Sequence, residues 1–361
     1  WSSDVCSSDL DYTVFIGRFQ PFHFGHIAVI RQALAKSKKL IILVGSANRA
    51  RDIRNPFSFA ERVEMVTLCL TDAERTRIFF APLADFMYQD TAWVENVQRI
   101  VFTVVHNDFR ANMTHRAPNI ALIGHSKDAT GFFLKMFPQW ESIDVTDAPP
   151  INATDIRKIY FGNQPLPVEN YLPKQVYDWM ADWRWSKNEA IFNTLQKEFD
   201  HVVNYKKQFA GLKYPPIHHT VDALVEQSGH VLLIKRGALP GEGLWALPGG
   251  FLEQDEFLID GAIRELYQET KIDVPEKVLR GCIVNEHTFD DPHRSTRGRT
   301  ITHTIHIKLE DRNYLPKIKT KQSLDPKDED DAKEAKWVSW AQWKCENTFE
   351  DHWFQGQYFK R

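Results

Sequence analysis

Three things are scarce in this chain of 361 residues. Cysteine is the first. The four present, Cys6, Cys69, Cys282 and Cys345, lie far apart and form no CxxC pair. That argues against a structural zinc cluster or a disulfide framework and fits a reducing, cytoplasmic setting. Long apolar runs are the second. The run LIILV at 40–44 is strand-sized, so no membrane partner is expected. No basic segment followed by an apolar one stands near the start, so no signal peptide is read there. An excess of either charge is the third. Lys and Arg number 45 against 48 Asp and Glu, a formal net charge of −3. This gives no support to a nucleic-acid partner, and any anion recognition must come from local placement of charge.

What is present is the composition of a globular protein, 43% apolar and 26% charged, on a chain long enough for two domains or three. Residues 1–10, WSSDVCSSDL, carry no period of 2 or 3.6 and read as a disordered tail outside the fold. Residues 13–16 read as a strand, and Ile27, Ile30 and Leu34 fall at i, i+3 and i+7 before the apolar run at 40–44. This strand, helix, strand order is the βαβ unit of a parallel sheet. Helices are expected from about Ser58 and over 93–105, and strands at 77–83 and 119–125. The first half, residues 11–185, is therefore expected to be a doubly wound, Rossmann-like α/β domain binding its ligand beyond the carboxyl ends of its strands. A helical linker is expected over 186–213, ending near Pro215-Pro216, and an α+β domain over 214–361. The sequence leaves room for oligomer formation.

His23-x-Gly-His26 stands where the first strand gives way to the first helix. Free N–H groups and a partial positive charge at a helix start favour anions, and Gly25 lets a ligand approach the main chain. Taken alone, the two histidines are open to three readings: satisfied core residues, a metal pair, or groups that hold a polyphosphate.

The surrounding residues narrow the choice. GRFQPFHFGH (17–26) closely resembles the opening motif of nucleotidylyltransferases with the HxGH signature, especially the archaeal-type nicotinamide mononucleotide (NMN) adenylyltransferases. INATDIR (151–157) stands where that family has ISxTxxR; Thr154 and Arg157 match, and Asn152 replaces the serine. Segments 45–65 and 123–128 are also similar to family segments. The resemblance implies adenylyl transfer from ATP to NMN, giving NAD and pyrophosphate, with Mg²⁺. It implies that His23, His26 and Arg157 are catalytic. It places Gly17, Arg18, Phe19, Gln20, Gly25, Trp93, Lys127, Asp128 and Thr154 in ATP and NMN binding, with Trp93 stacking on the nicotinamide. Packing of a helix start against the sheet is the plainer reading of Trp93, and a different mononucleotide or phosphopantetheine is an alternative substrate.

In the second half, Ile259, Ala262, Ile263 and Leu266 give one helix an apolar face, and Glu265 and Glu269 lie one turn apart on another. Two close carboxylates suit a divalent cation; a solvated surface is the alternative. The segment resembles the Nudix box, with Gly250, Glu256, Arg264, Glu265, Leu266, Glu269 and Ile272 in register. Gln268 stands in place of a glutamate and Lys271 in place of a glycine. The resemblance implies a Nudix domain that hydrolyses ADP-ribose to AMP and ribose 5-phosphate, with Mg²⁺ or Mn²⁺ on Glu265, Glu269 and Gln268. It places Glu265 among the catalytic groups and leaves the base open between Glu265 and acids of 328–331. Residues 289–307 resemble the ADP-ribose pyrophosphatase branch, where Arg294, Arg297 and Arg299 would meet ADP-ribose. Both resemblances in this order match a bifunctional NMN adenylyltransferase/Nudix hydrolase architecture. The two departures motivate an alternative, an active transferase whose Nudix domain is a hydrolytically weak ADP-ribose or NAD sensor.

Overall fold

Strand β1 (Leu10–Gly17) is buried from Asp11 to Phe15 without alternation, as a central strand covered on both faces must be. In the computed structural model, which describes residues 10–112, 117–124, 135–145, 149, 151–162, 171–186, 188–319 and 332–360, it is the middle of a five-stranded parallel sheet. Leu10, expected in the tail, pairs with Ser37 and so belongs to the strand.

The first unit continues with α1 (Phe24–Lys36), β2 (Ser37–Val44), α2 (Phe59–Leu68), the short α3 (Asp72–Arg75), β3 (Ile78–Pro82), α4 (Asp90–Asn112), β4 (Ile120–Gly124), β5 (Glu141–Asp144) and α5 (Ala153–Phe161). The strand order β3-β2-β1-β4-β5 reverses direction at β1 and β4, the doubly wound arrangement expected. The loop after β1 therefore opens at the switch point, where such sheets bind ligands. Ser58 caps α2 by accepting from the Glu61 main chain, while Glu61 accepts from Ser58 N–H, which fixes the start of that helix. β5, ESID, has no apolar run and was not foreseen. Helices α6 (Lys174–Trp185) and α7 (Glu189–Lys207) follow. The chain divides into two compact units between Gln196 and Lys197, within α7.

The second unit holds β6 (His218–Gln227), β7 (His230–Arg236), β8 (Trp245–Ala246), β9 (Gly249–Phe251), α8 (Leu258–Thr270), α9 (Glu276–Gly281), β10 (Ile283–Phe289), β11 (Thr300–Lys308), β12 (Ala332–Ser339) and α10 (His352–Phe359). Its sheet is mixed: β11 and β6 are parallel, while β10, β7, β9 and β12 pair antiparallel with their neighbours. Ala262, Ile263 and Leu266 of α8 pack on Val221, Ala223 and Val225 of β6, as the spacing required. Among the described residues Cys69, Cys282 and Cys345 are free thiols, and no helix is long and apolar enough to cross a membrane.

Helix α8 ends at Lys271 in the left-handed conformation, φ 46° and ψ 40°. A glycine adopts that conformation without the clash a Cβ brings. Lys271→Gly should therefore raise unfolding stability by about 1 kcal/mol, measured by denaturant titration; an unchanged or lower midpoint would contradict the assignment of strain to this residue.

Candidate functional site

The first site is built on the loop between β1 and α1. His23 is the residue before α1, with extended φ and ψ of −147° and 173°. Its main-chain N–H donates to His26 Nδ1 at 3.2 Å. The two rings stack, centroids 3.6 Å apart and 25° from parallel. His26 is backed by Phe22, stacked at 5.5 Å, and meets Phe19 edge-on at 4.8 Å. Gly25 makes room for this: a Cβ there would lie 3.0 Å from His23 Cε1. His23 is 7% exposed, and its Nδ1 has no hydrogen-bond partner among the described residues. Burial lowers its pKa to about 4, so the imidazole is neutral near pH 7.

Arg157 reaches the same loop from α5. It is 6% exposed and donates from Nη1 to the Gln20 carbonyl at 2.5 Å and from Nη2 to Thr154 Oγ1 at 3.1 Å. Burial lowers its pKa to about 10, with nearby Arg18 and Arg54 adding and Asp52 and Asp155 opposing, so it stays charged. Asn152 accepts from Thr154 N–H at 2.8 Å and caps α5. The side chain that replaces the motif's serine thus performs the capping a serine would.

Two expected binding residues are committed elsewhere. Gln20 is buried, and both ends of its amide serve Phe57: Nε2 donates to the carbonyl at 2.9 Å, and Oε1 accepts from the N–H at 3.0 Å. Phe19 is buried against Phe15 and His26. Their side chains shape the loop, which leaves their main chain as the part that could meet a ligand. Gly17 ends β1 and Arg18 follows it, exposed. Trp93 lies in the first turn of α4, half-buried on the core, with Phe137 at 6.0 Å. Lys127 and Asp128 lie outside the described residues.

Sequence reading missed three groups that support this loop, Arg51, Glu61 and Arg62. Glu61 takes both guanidinium nitrogens of Arg51, at 2.7 and 3.0 Å, and the Trp183 indole N–H at 2.9 Å. Arg62 is fully buried. The local pattern gives no signal for it, since a charged helix residue ordinarily reads as surface.

The second site lies along α8. Glu265 is largely buried, and desolvation raises its pKa, with Glu256 and Asp222 adding and Arg264 opposing. It faces Gly250 so closely that a Cβ there would sit 2.4 Å from Glu265 Oε1. Glu269 is 6% exposed and accepts from Gly249 N–H at 2.9 Å. Arg264 gathers the motif: it meets Glu256 at 2.6 Å, Glu265 at 2.8 Å, Gln268 Oε1 at 2.9 Å and the Phe251 carbonyl at 3.1 Å. Among the described residues no three His, Cys, Asp or Glu side chains are gathered as a metal site. The donor set nonetheless fits a hard cation that brings its other ligands with it. Glu265 carries excess negative charge in a confined place, and Mg²⁺-like ions take one or two carboxylates plus substrate phosphates.

Of the three arginines expected to meet ADP-ribose, Arg294 is spent. It is 4% exposed and forms a fork with Asp351, Nε to Oδ2 at 2.9 Å and Nη2 to Oδ1 at 2.8 Å. The fork commits Nε and Nη2 of Arg294 to a buried carboxylate, which gives this residue a structural partner within the fold. Arg297 lies over the Phe251 ring, 5.2 Å from its centroid. Arg299 bonds the Asp290 carbonyl and stays partly exposed. The acids of 328–331 lie outside the described residues.

Two outcomes follow. The folded pKa of His23 lies below the ordinary 6.5, so the unfolded chain takes up the proton first. Stability is then complete above about pH 6.5 and falls by about 3 kcal/mol as pH drops towards 4. His23→Gln should remove that part of the acid sensitivity in unfolding curves taken at pH 7.5, 6 and 5; identical slopes for both proteins would refute it. Arg294→Ala should cost about 3–5 kcal/mol by leaving Asp351 buried without its partner, read as a fall in the second unit's melting temperature.

Residues 14–159 match the cytidylyltransferase-like family model and residues 216–360 the NUDIX domain model. A nicotinamide/nicotinic acid mononucleotide adenylyltransferase of Acinetobacter baylyi is 33% identical over 190 residues, covering 52% of this chain and 93% of that one. A nicotinamide-nucleotide adenylyltransferase of Saccharolobus solfataricus is 41% identical over 173 residues, 47% of this chain and 89% of that one. The crystal structure of a bifunctional NMN adenylyltransferase/ADP ribose pyrophosphatase from Francisella tularensis is 34% identical with a TM-score of 0.86, covering 97% of this chain and 98% of that one. A second structure of a bifunctional protein of that description from Francisella tularensis, complexed with AMP and a manganese ion, is 33% identical with a TM-score of 0.84, again covering 97% and 98%. With an HxGH loop held by Arg157 in one unit and a Nudix carboxylate helix in the other, this chain belongs to the family of bifunctional NMN adenylyltransferase/ADP-ribose pyrophosphatases.

Proposed function

We propose that the first unit joins ATP to NMN, giving NAD and pyrophosphate, and that the second hydrolyses ADP-ribose to AMP and ribose 5-phosphate. The observation that carries the first reaction is the convergence of Arg157 and the stacked His23–His26 pair on one loop at the sheet's switch point. An oxygen of the NMN phosphate attacks the α-phosphorus of ATP, the bond from that phosphorus to the bridging oxygen breaks, and pyrophosphate leaves. The protein's part is positioning and charge stabilisation. His23 and His26 hold the triphosphate through ring N–H groups at the helix start. Arg157, oriented by Thr154, clamps the outer phosphates with Arg18 beside it. Trp93 stacks on the nicotinamide.

In the second unit Glu265 and Glu269 hold a divalent cation, Mg²⁺ or Mn²⁺, with Gln268 as a neutral oxygen donor once it leaves Arg264. Such a cation supplies charge neutralisation at the pyrophosphate and eases deprotonation of water. Water attacks one phosphorus, the bridging P–O bond breaks, and each half leaves with a phosphate. Arg297 and Arg299 are placed to meet phosphates. A sensor that binds ADP-ribose or NAD without turnover is not favoured, because Glu265, held by Arg264, and Glu269, held by Gly249 N–H, are in place despite Gln268.

The test is an assay of the purified protein on NMN with ATP and, separately, on ADP-ribose with Mg²⁺ or Mn²⁺. His26→Ala should lower NAD formation by about 10²–10³-fold and leave ADP-ribose hydrolysis unchanged. Glu269→Gln should do the reverse, lowering AMP release by about 100-fold. Full synthetic activity in His26→Ala would sink the first assignment. Saturable ADP-ribose binding with no AMP released by the unmodified protein would favour the sensor.

A further inference from the structure

We propose that Arg62 is a positioning residue for NAD synthesis, acting through the main-chain carbonyls of Arg18 and Gly45. Arg62 is 1% exposed on α2. Its Nη1 donates to the Arg18 carbonyl at 2.8 Å and to the Gly45 carbonyl at 2.6 Å, and its Nε donates to the Ser58 carbonyl at 3.1 Å. Arg18 is the first residue after β1 and Gly45 the first after β2. One guanidinium therefore joins the ends of two neighbouring strands at the edge of the sheet where the ligand site opens. Two residues along, the Gln20 carbonyl is held by Arg157 from α5. The loop that carries His23 is thus gripped on its main chain by two arginines from different helices.

The choice of residue is hard to explain by stability. Among the described residues Arg62 is in no ion pair; Asp85 and Glu61 favour its charge from a distance, while Arg18 and Arg51 oppose it, and burial lowers its pKa to about 10. Its neighbour Glu61 is already committed to Arg51 and Trp183. A buried charge without a carboxylate is costly, and an apolar side chain of similar volume would be cheaper. What an apolar residue cannot do is hold two carbonyls in a fixed spacing. Lysine cannot make all three contacts in the same geometry, because its ammonium lacks the second nitrogen that donates to the Ser58 carbonyl. The inference rests on the synthetic reading of the first unit.

The experiment compares full-length Arg62→Lys and Arg62→Met with the unmodified chain, varying ATP and NMN, with ADP-ribose hydrolysis as an internal control for the amount of folded protein. Arg62→Lys should melt close to the unmodified chain yet lose about 10-fold in kcat, with KM for NMN changed less than about threefold. Arg62→Met should lose about 100-fold. A merely structural role would lower melting temperature without changing kcat per folded molecule. Arg62→Lys with unchanged kcat and KM would overturn the proposal, and this variant decides the matter if Arg62→Met does not fold. An unmodified chain that makes no NAD from NMN and ATP would instead overturn the synthetic reading itself.

Discussion

A functional side chain pressed onto bare main chain, with no Cβ between, is the constraint on which both sites depend. In the first unit the His23 ring lies over Gly25, and its Nδ1 would be 3.1 Å from any Cβ placed there. That contact lets the ring lie flat on His26 and leaves the N-terminus of α1 uncovered. In the second unit the carboxyl of Glu265 fills the space that a side chain at Gly250 would take. Each glycine permits a side chain to approach the backbone where a Cβ would stand, so the seating of both side chains has one cause.

The two sites hold opposite electrostatic imbalances. Around the first, Arg157 and Arg62 are buried cations; Arg18 opposes both charges, while Asp52 and Asp155 favour the one and Asp85 and Glu61 the other. Around the second, Glu265 is opposed by Glu256 and Asp222, and Arg264 offsets them.

What could be read from the sequence followed from local periodicity and contiguous motifs. The β1-α1-β2 unit was legible because residues 13–16 are a β-type run, residues 40–44 are fully apolar and the helix between repeats at i, i+3 and i+7; the α8 face was legible from its own helical spacing. Strand β5 was not: it is an edge strand exposed but for Ile143, and its parallel pairing with β4 is what makes it a strand. The motif arginines and histidines could be named, but the partners of buried polar groups could not. Gln20 finds Phe57 across 37 residues, and Arg294 finds Asp351 across 57. Neither pairing leaves a trace in local composition. Arg294 looked like a phosphate ligand and Gln20 like a nucleotide contact because a side chain's competitor for the same donors was distant in the chain.

The Arg294–Asp351 pair has a further consequence for the order in which the protein is made. The elements of the first site, through Arg157, are synthesised before any strand of the second sheet, and they can pack while the ribosome is still translating the rest. The second unit has no such head start. Until Asp351 has emerged, the loop before β11 carries a guanidinium that has nowhere to be buried. The nascent chain thus passes through a stage in which the synthetic unit is complete while the hydrolytic one is still waiting for its counter-charge.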